Sequence, residues 1–276
     1  MNSRMIKIIF SVLFVLVVAF FAAKGCWYRA AQPLPKAPRV KVAVKKKETL
    51  SAPAVPLHPK MAVILDDWGY NLALVKNVEA IGRPVTLSVL PHLPHSREIA
   101  EEASAHGLGV MLHMPMQPKG SKQPLEPHTI LTTTSDAEIV QLLDSALESV
   151  PHAAGVNNHQ GSAATGDERV MKTVLGHLKK KNLFFVDSQV IATSVARRVA
   201  KEIGIPFTKR NVFIDNKATL EAVEQQLRAA EKIALTRGRV VAIGHDKKAT
   251  IEAIRKMVPE LEKNGVELVL VKELLE

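Results

Sequence analysis

From Met61 onward the chain alternates between two hydrophobic periods. Short runs rich in Val, Ile, Leu and Phe recur near residues 61–66, 84–90, 108–113, 154–157, 183–187, 206–214, 239–243 and 266–271, and read as strands. Longer segments with apolar residues at helical spacing lie between them. Ser135-Asp136-Ala137-Glu138 opens one, placing Ile139, Leu142, Leu143 and Leu147 on one face, an N-terminal capping signature followed by a period near 3.6. Thr165-Gly166-Asp167-Glu168 opens another, carrying Val170, Val174, Leu175 and Leu178, and residues 219–235 and 250–261 complete the set. Strands that are apolar throughout need cover on both faces, as in a parallel sheet wrapped by helices. The pattern over residues 61–276 predicts an α/β fold, a distorted (β/α) barrel of about seven to eight parallel strands, with a doubly wound open sheet as the alternative.

The first 60 residues follow a different pattern. Arg4 and Lys7 precede an apolar stretch over 8–23, and Lys24 follows it with no clean small-x-small cleavage site. Residues 1–29 therefore read as an uncleaved signal anchor, a membrane helix, with a cleaved signal peptide as the alternative and lipid attachment at Cys26 ranked third. Residues 30–60 carry prolines and the Lys45-Lys46-Lys47 run without apolar periodicity, which predicts an extended linker. Residues 61–276 form the folded domain. With Cys26 the only cysteine, that domain has neither a disulfide nor a thiolate ligand.

Charge changes the picture once it is located. The net charge is +10, but residues 1–60 hold 11 of the 37 Lys and Arg and 1 of the 27 Asp and Glu, leaving 26 against 26 in residues 61–276. The domain is formally neutral, and no basic stretch interleaves aromatic residues as a nucleic-acid groove would. Nucleic acid is excluded as the expected partner. The expected location is the bacterial periplasm, with the protein anchored to the inner membrane or secreted.

The ends of the strand-like runs carry the chemistry. Val63-Ile64-Leu65 ends on Asp66-Asp67, Val110-Met111-Leu112 on His113, Gly155-Val156-Asn157-Asn158 on His159, Phe184-Phe185-Val186 on Asp187, and Val241-Ala242-Ile243-Gly244 on His245. Carboxy ends of parallel strands share one face, where such folds build active sites. Catalytic zinc or a related divalent ion takes three imidazole or carboxylate ligands and leaves a position for water. One of Asp66 or Asp67, with His113 and His159, supplies that set. A second carboxylate and another histidine would serve as base and acid. Asp66 and His245 fit those places, and Asp187 is placed to orient or tune one of them. Read without the other clusters, the paired aspartates cap a turn, His113 is a core histidine and Asp187 caps the turn after it.

These segments resemble a known superfamily. Asp66-Asp67 closing a first strand, a histidine closing the third, and Ile243-Gly244-His245-Asp246 followed by Thr250 and Ala253-Ile254 are similar to the polysaccharide deacetylase (NodB-homology) superfamily. The segments from Val63 to Tyr70, His113-Met114-Pro115-Met116, Gly155 to Ser162 and Phe185-Val186-Asp187-Ser188 resemble its divergent, YibQ-like branch. The resemblance implies Asp66 as general base, Asp67 and His113 as metal ligands, His245 as the acid that protonates the leaving group, and His159 as third ligand. Gln117 stands where typical members place a second histidine, and their Arg-x-Pro-x-Gly motif has no counterpart. The function expected is that of a zinc-dependent cell-envelope hydrolase removing an acetyl group from an amino sugar in a glycan. The alternatives are a non-catalytic module binding a glycan or an envelope protein, and a metal-free glycosidase using Asp66 and Asp187.

Other constellations are weaker. His92-Leu93-Pro94-His95 has ligand-like spacing, but Pro94 breaks the helix that would aim both rings together. Gly161 and Gly166 have P-loop spacing with Asp167-Glu168 in place of the lysine and hydroxyl residues. The domain has no Gly-x-Ser-x-Gly elbow.

Overall fold

The computed structural model describes residues 58–120 and 124–276. Strands and helices alternate: β1 (Lys60–Trp68), α1 (Val75–Glu79), β2 (Thr86–Val89), α2 (Ser96–Ala105), β3 (Gly109–Met116), α3 (Asp136–Ser149), β4 (Gly155–Gln160), α4 (Glu168–Lys180), β5 (Phe184–Asp187), α5 (Ala196–Ile203), β6 (Phe207–Lys209), β7 (Val212–Phe213), α6 (Leu220–Arg237), β8 (Arg239–His245), α7 (Lys248–Lys263) and β9 (Glu267–Val269). Among the described residues no helix is long and apolar enough to cross a membrane. The expected signal anchor, and the linker up to residue 57, lie outside the described residues.

The strands form one parallel sheet in the order β6-β5-β4-β3-β2-β1-β8-β7, with β9 beside the first residues of β1. Its two ends, β6 and β7, are separated in the chain only by Arg210 and Asn211. Eight strands laid flat would hold their edges about 34 Å apart, whereas the three Cα steps from Lys209 to Val212 reach roughly 10 Å. The sheet therefore curls into an α/β half-barrel whose ends approach each other. Arg210 N–H donates to Asp187 O and Asn211 N–H to Val241 O, both at 2.9 Å, so this short link bonds to a neighbour on either side. The run read as one strand over 206–214 is thus two, because its halves pair with β5 and β8 respectively.

Alternation along each strand divides the core. Met61, Val63 and Leu65 of β1 pack outward with the helices, while Ala62 and Ile64 face an inner cluster with Met111, Val186, Val241 and Ile243. Three caps stand where the sequence suggests. Ser135 Oγ accepts from Glu138 N–H at 3.3 Å, Asp167 Oδ1 from Val170 N–H at 3.0 Å, and Thr219 Oγ1 from Ala222 N–H at 3.4 Å. Thr165 is not a cap; its hydroxyl donates to Gly161 O. Helices α2 and α5 bury mainly Ile99 and Val199 with several alanines, too few large apolar residues to register as a helical stripe.

Gly155 shows how the interior is filled. A Cβ there would lie 2.3–2.6 Å from the Phe184 ring, which occupies the inside of the barrel beneath the strand ends. Gly155→Ala is expected to destabilise the fold by about 1–3 kcal/mol through overpacking, measured by urea unfolding. A loss below about 0.5 kcal/mol would show that the ring has room to retreat.

Candidate metal centre

The site begins with an irregularity in β1. Leu65 pairs with Leu87 and Trp68 with Val89, so Asp66 and Asp67 together stand opposite Ser88 alone. This is a β-bulge, and Asp67 takes the left-handed conformation, φ 68°, that Asp tolerates better than most residues. In a regular strand, neighbouring side chains point to opposite faces. Here Leu65 and Trp68 both pack outward, and the two residues between them bring both carboxylates to His113. On the other edge of β1, Asp66 stays in register with His245.

Two histidines meet Asp67 from β3 and β4, the strands beyond β2. His113 Nε2 lies 3.3 Å and His159 Nδ1 3.1 Å from Asp67 Oδ1, and the two ring nitrogens are 3.2 Å apart. Among the described residues these three side chains form a group close enough to share an ion. A tetrahedral ion with ligands at roughly 2.0–2.1 Å separates its donor atoms by about 3.3 Å, so this triangle fits one face of such a site. One carboxylate and two imidazoles also suit zinc or a related divalent ion chemically. His113 is buried, whereas Asp67 and His159 are partly open, which gives solvent a route to the fourth position.

Behind the cluster lies a buried polar layer. Asn157 Oδ1 accepts from Ser88 Oγ and, at 2.7 Å, from His113 Nδ1; its Nδ2 donates to Asp66 Oδ1 at 2.9 Å and to Ser188 Oγ at 3.3 Å. Asn158, on the opposite face of β4, accepts from Ser188 N–H and donates to Gln160 O. Gln117 turns away, its Oε1 accepting from the backbone and hydroxyl of Thr132, and the third side chain close enough to share an ion is His159 of β4.

His245 approaches from the far side. Its Nδ1 lies 2.9 Å from Asp215 Oδ1, its backbone N–H donates to Asp215 Oδ2, and Nε2 stands 3.7 Å from Asp67 Oδ2. Asp215 is buried and also accepts from Thr250 Oγ1. Along the sequence Arg210 and Asp215 bracket a strand end, where substrate contact, an ion pair and a helix cap are all open; here Asp215 is the ion-pair partner of His245. Asp246 does not cap α7; Lys247 holds that position without a side-chain cap bond.

Asp187 is placed differently. Its Oδ1 accepts from Gln189 N–H at 2.7 Å, bonding to the turn that follows β5. Arg210 holds the same turn, donating to Ser188 O and Gln189 O, and it is Ser188 that reaches the Asn157 layer. His92 packs against His128, and His95 pairs with Glu98.

Charge is concentrated here. Burial pushes the Asp66 carboxyl up, against the opposing influence of His113 and Asn157. Burial also works to raise Asp67, but the hydrogen bonds and charges of His113 and His159 outweigh it and hold Asp67 well below the carboxylate range. Burial would lower His113, yet Asp66 and Asp67 carry it up to about 9. For His245 burial likewise loses to Asp215 and Asp67, and the imidazole is raised. A divalent cation would compete with protons for the same lone pairs.

Residues 63–275 match the model of the divergent polysaccharide deacetylases. The chain belongs to the divergent polysaccharide deacetylase family. It is 38% identical over 212 residues to protein YibQ of Escherichia coli (strain K12), an alignment covering 77% of this chain and 66% of that one. A Haemophilus influenzae protein is 35% identical over 196 residues, covering 71% of this chain and 70% of its own length. The chain thus spans slightly less than two thirds of YibQ. In fold, this divergent deacetylase chain is similar to the solved ATU2773 protein of Agrobacterium tumefaciens C58, with TM-score 0.73 and 23% identity over 79% of this chain and 89% of that one. It is also similar to the Bc1960 peptidoglycan N-acetylglucosamine deacetylase, with TM-score 0.51 and 12% identity over the same shares, 79% and 89%.

The protein is expected to bind about one equivalent of zinc by calorimetry. With His159 as a donor, as the geometry allows, His159→Ala should weaken binding by more than the roughly 10–100-fold that losing an outer partner costs. Full metal retention in that variant would remove His159 from the ligand set.

Proposed function

We propose that this protein is a metal-dependent hydrolase of the cell envelope that removes an acetyl group from the nitrogen of an amino sugar within a glycan. The observation that carries the reading is the triangle of Asp67, His113 and His159 donors flanked by Asp66 on one side and His245 on the other. Membership of the family, and a fold like that of a peptidoglycan N-acetylglucosamine deacetylase, support the substrate class. The apolar segment over 8–23 and the linker after it support an envelope location, with the domain anchored to the inner membrane or secreted.

Asp67, His113 and His159 would hold the ion, and zinc suits their donor set. When bound, such an ion supplies Lewis acidity, making water a nucleophile near neutral pH and drawing electron density from the amide carbonyl. Asp66, whose proton affinity burial raises, takes the proton from the attacking water. His245 carries its proton on Nε2 toward the departing amine, because Asp215 holds Nδ1 and favours the imidazolium. Asp187 and Arg210 act at one remove, fixing the turn that presents Ser188 to Asn157.

Acetate release from β-1,4-linked N-acetylglucosamine oligomers, with zinc restored, tests this reading. Asp66→Asn should keep its zinc and lose about 10²–10⁴-fold in turnover, the span of a general base. Undiminished turnover in Asp66→Asn would remove Asp66 from the chemistry. Resistance of the wild-type activity to a chelator would favour a metal-free route.

A further inference from the structure

We infer that Asn157 is a positioning residue that fixes which nitrogen of His113 is offered to a cation, while holding Asp66 apart from the ligand set. The inference rests on the metal-centre reading above. Four hydrogen bonds converge on this one fully buried carboxamide, and their chemistry determines its orientation. Asp66 Oδ1, as a carboxylate, can only accept, so the atom 2.9 Å from it is the amide nitrogen. The carbonyl oxygen therefore faces Ser88 and His113, and it can only accept from His113 Nδ1 at 2.7 Å. The proton of His113 is thereby kept on Nδ1, and the lone pair on Nε2 points at Asp67 and His159.

The same side chain makes two adjacent acids unequal. Asp66 and Asp67 both approach His113 Nε2, at 3.7 and 3.3 Å. Asp66 has one oxygen engaged by Asn157, whereas Asp67 Oδ1 faces the two imidazole nitrogens. Asn157 thus sorts the pair into one acid beside the ion and one acid behind it. No apolar residue could do this, because both a donor and an acceptor are needed within one planar group.

Two substitutions of nearly the same size separate the jobs. Asn157→Asp keeps an oxygen to accept from His113 Nδ1; Asn157→Leu keeps neither function. Zinc affinity measured by calorimetry should fall about 10–100-fold in Asn157→Leu, the range for losing an outer partner of a ligating histidine, and stay within about threefold of wild type in Asn157→Asp. Equal affinity in wild type and Asn157→Leu, or an equal loss in both variants, would overturn the inference. A second measurement needs no variant to fold: nitrogen-15 spectra of the zinc-loaded wild-type protein should show the His113 ring proton on Nδ1, and a proton on Nε2 would overturn it. Absence of zinc binding by the wild-type protein would instead defeat the metal-centre reading; the neutral ring of the zinc-free protein, observed in alkaline solution, should then still carry its single proton on Nδ1, and a single proton on Nε2 would overturn the inference.

Discussion

The site depends on a single backbone constraint, the bulge that sets Asp66 and Asp67 together against Ser88. Alternation forbids two consecutive strand residues from facing the same side, yet here two adjacent carboxylates stand beside one histidine. The extra residue, with Asp67 in the left-handed region, resolves the conflict. It leaves Leu65 and Trp68 both anchored outward, so the helices clamp the strand on either side of the acids. A buried hydrophobic frame thus holds a strained polar turn in place, as happens where strain serves function.

The frame also decides which electrostatics are possible. The half-barrel curls because β6 and β7 are consecutive in the chain, and β8 pairs with β1 on the edge opposite β2, β3 and β4. His245 consequently faces the acids from one direction and the two other histidines from another. Two of the three imidazoles have their remote nitrogen fixed by a buried partner: Asn157 for His113, Asp215 for His245. In a water-poor interior such partners set protonation far more firmly than exposed ones, so identical side chains acquire different roles.

Much of this was legible in the sequence, for identifiable reasons. Strands buried on both faces write continuous apolar runs, and all eight runs lie on strands. Polar residues closing those runs mark the carboxy rim, and Asp66, Asp67, His113, His159 and His245 do converge there. Asp187 reads the same way along the chain but bonds to its own turn, because Phe185 and Asp187 alternate with Val186, which faces the inner cluster. The division of residues 206–214 was not legible, and Asp215 was legible only as a substrate contact, an ion-pair partner or a helix cap: which of these holds depends on which strands become neighbours in space. The bulge was equally hidden, since Asp-Asp before Trp-Gly is also an ordinary turn.

The most direct test of the account is a crystal structure of the zinc-soaked protein with data collected on both sides of the zinc absorption edge. The account predicts one anomalous peak about 2.0–2.2 Å from Asp67 Oδ1, His113 Nε2 and His159 Nδ1, with Asp66 outside that distance. A peak elsewhere, or a site in which Asp67 has swung away and His113 binds through Nδ1, would contradict it.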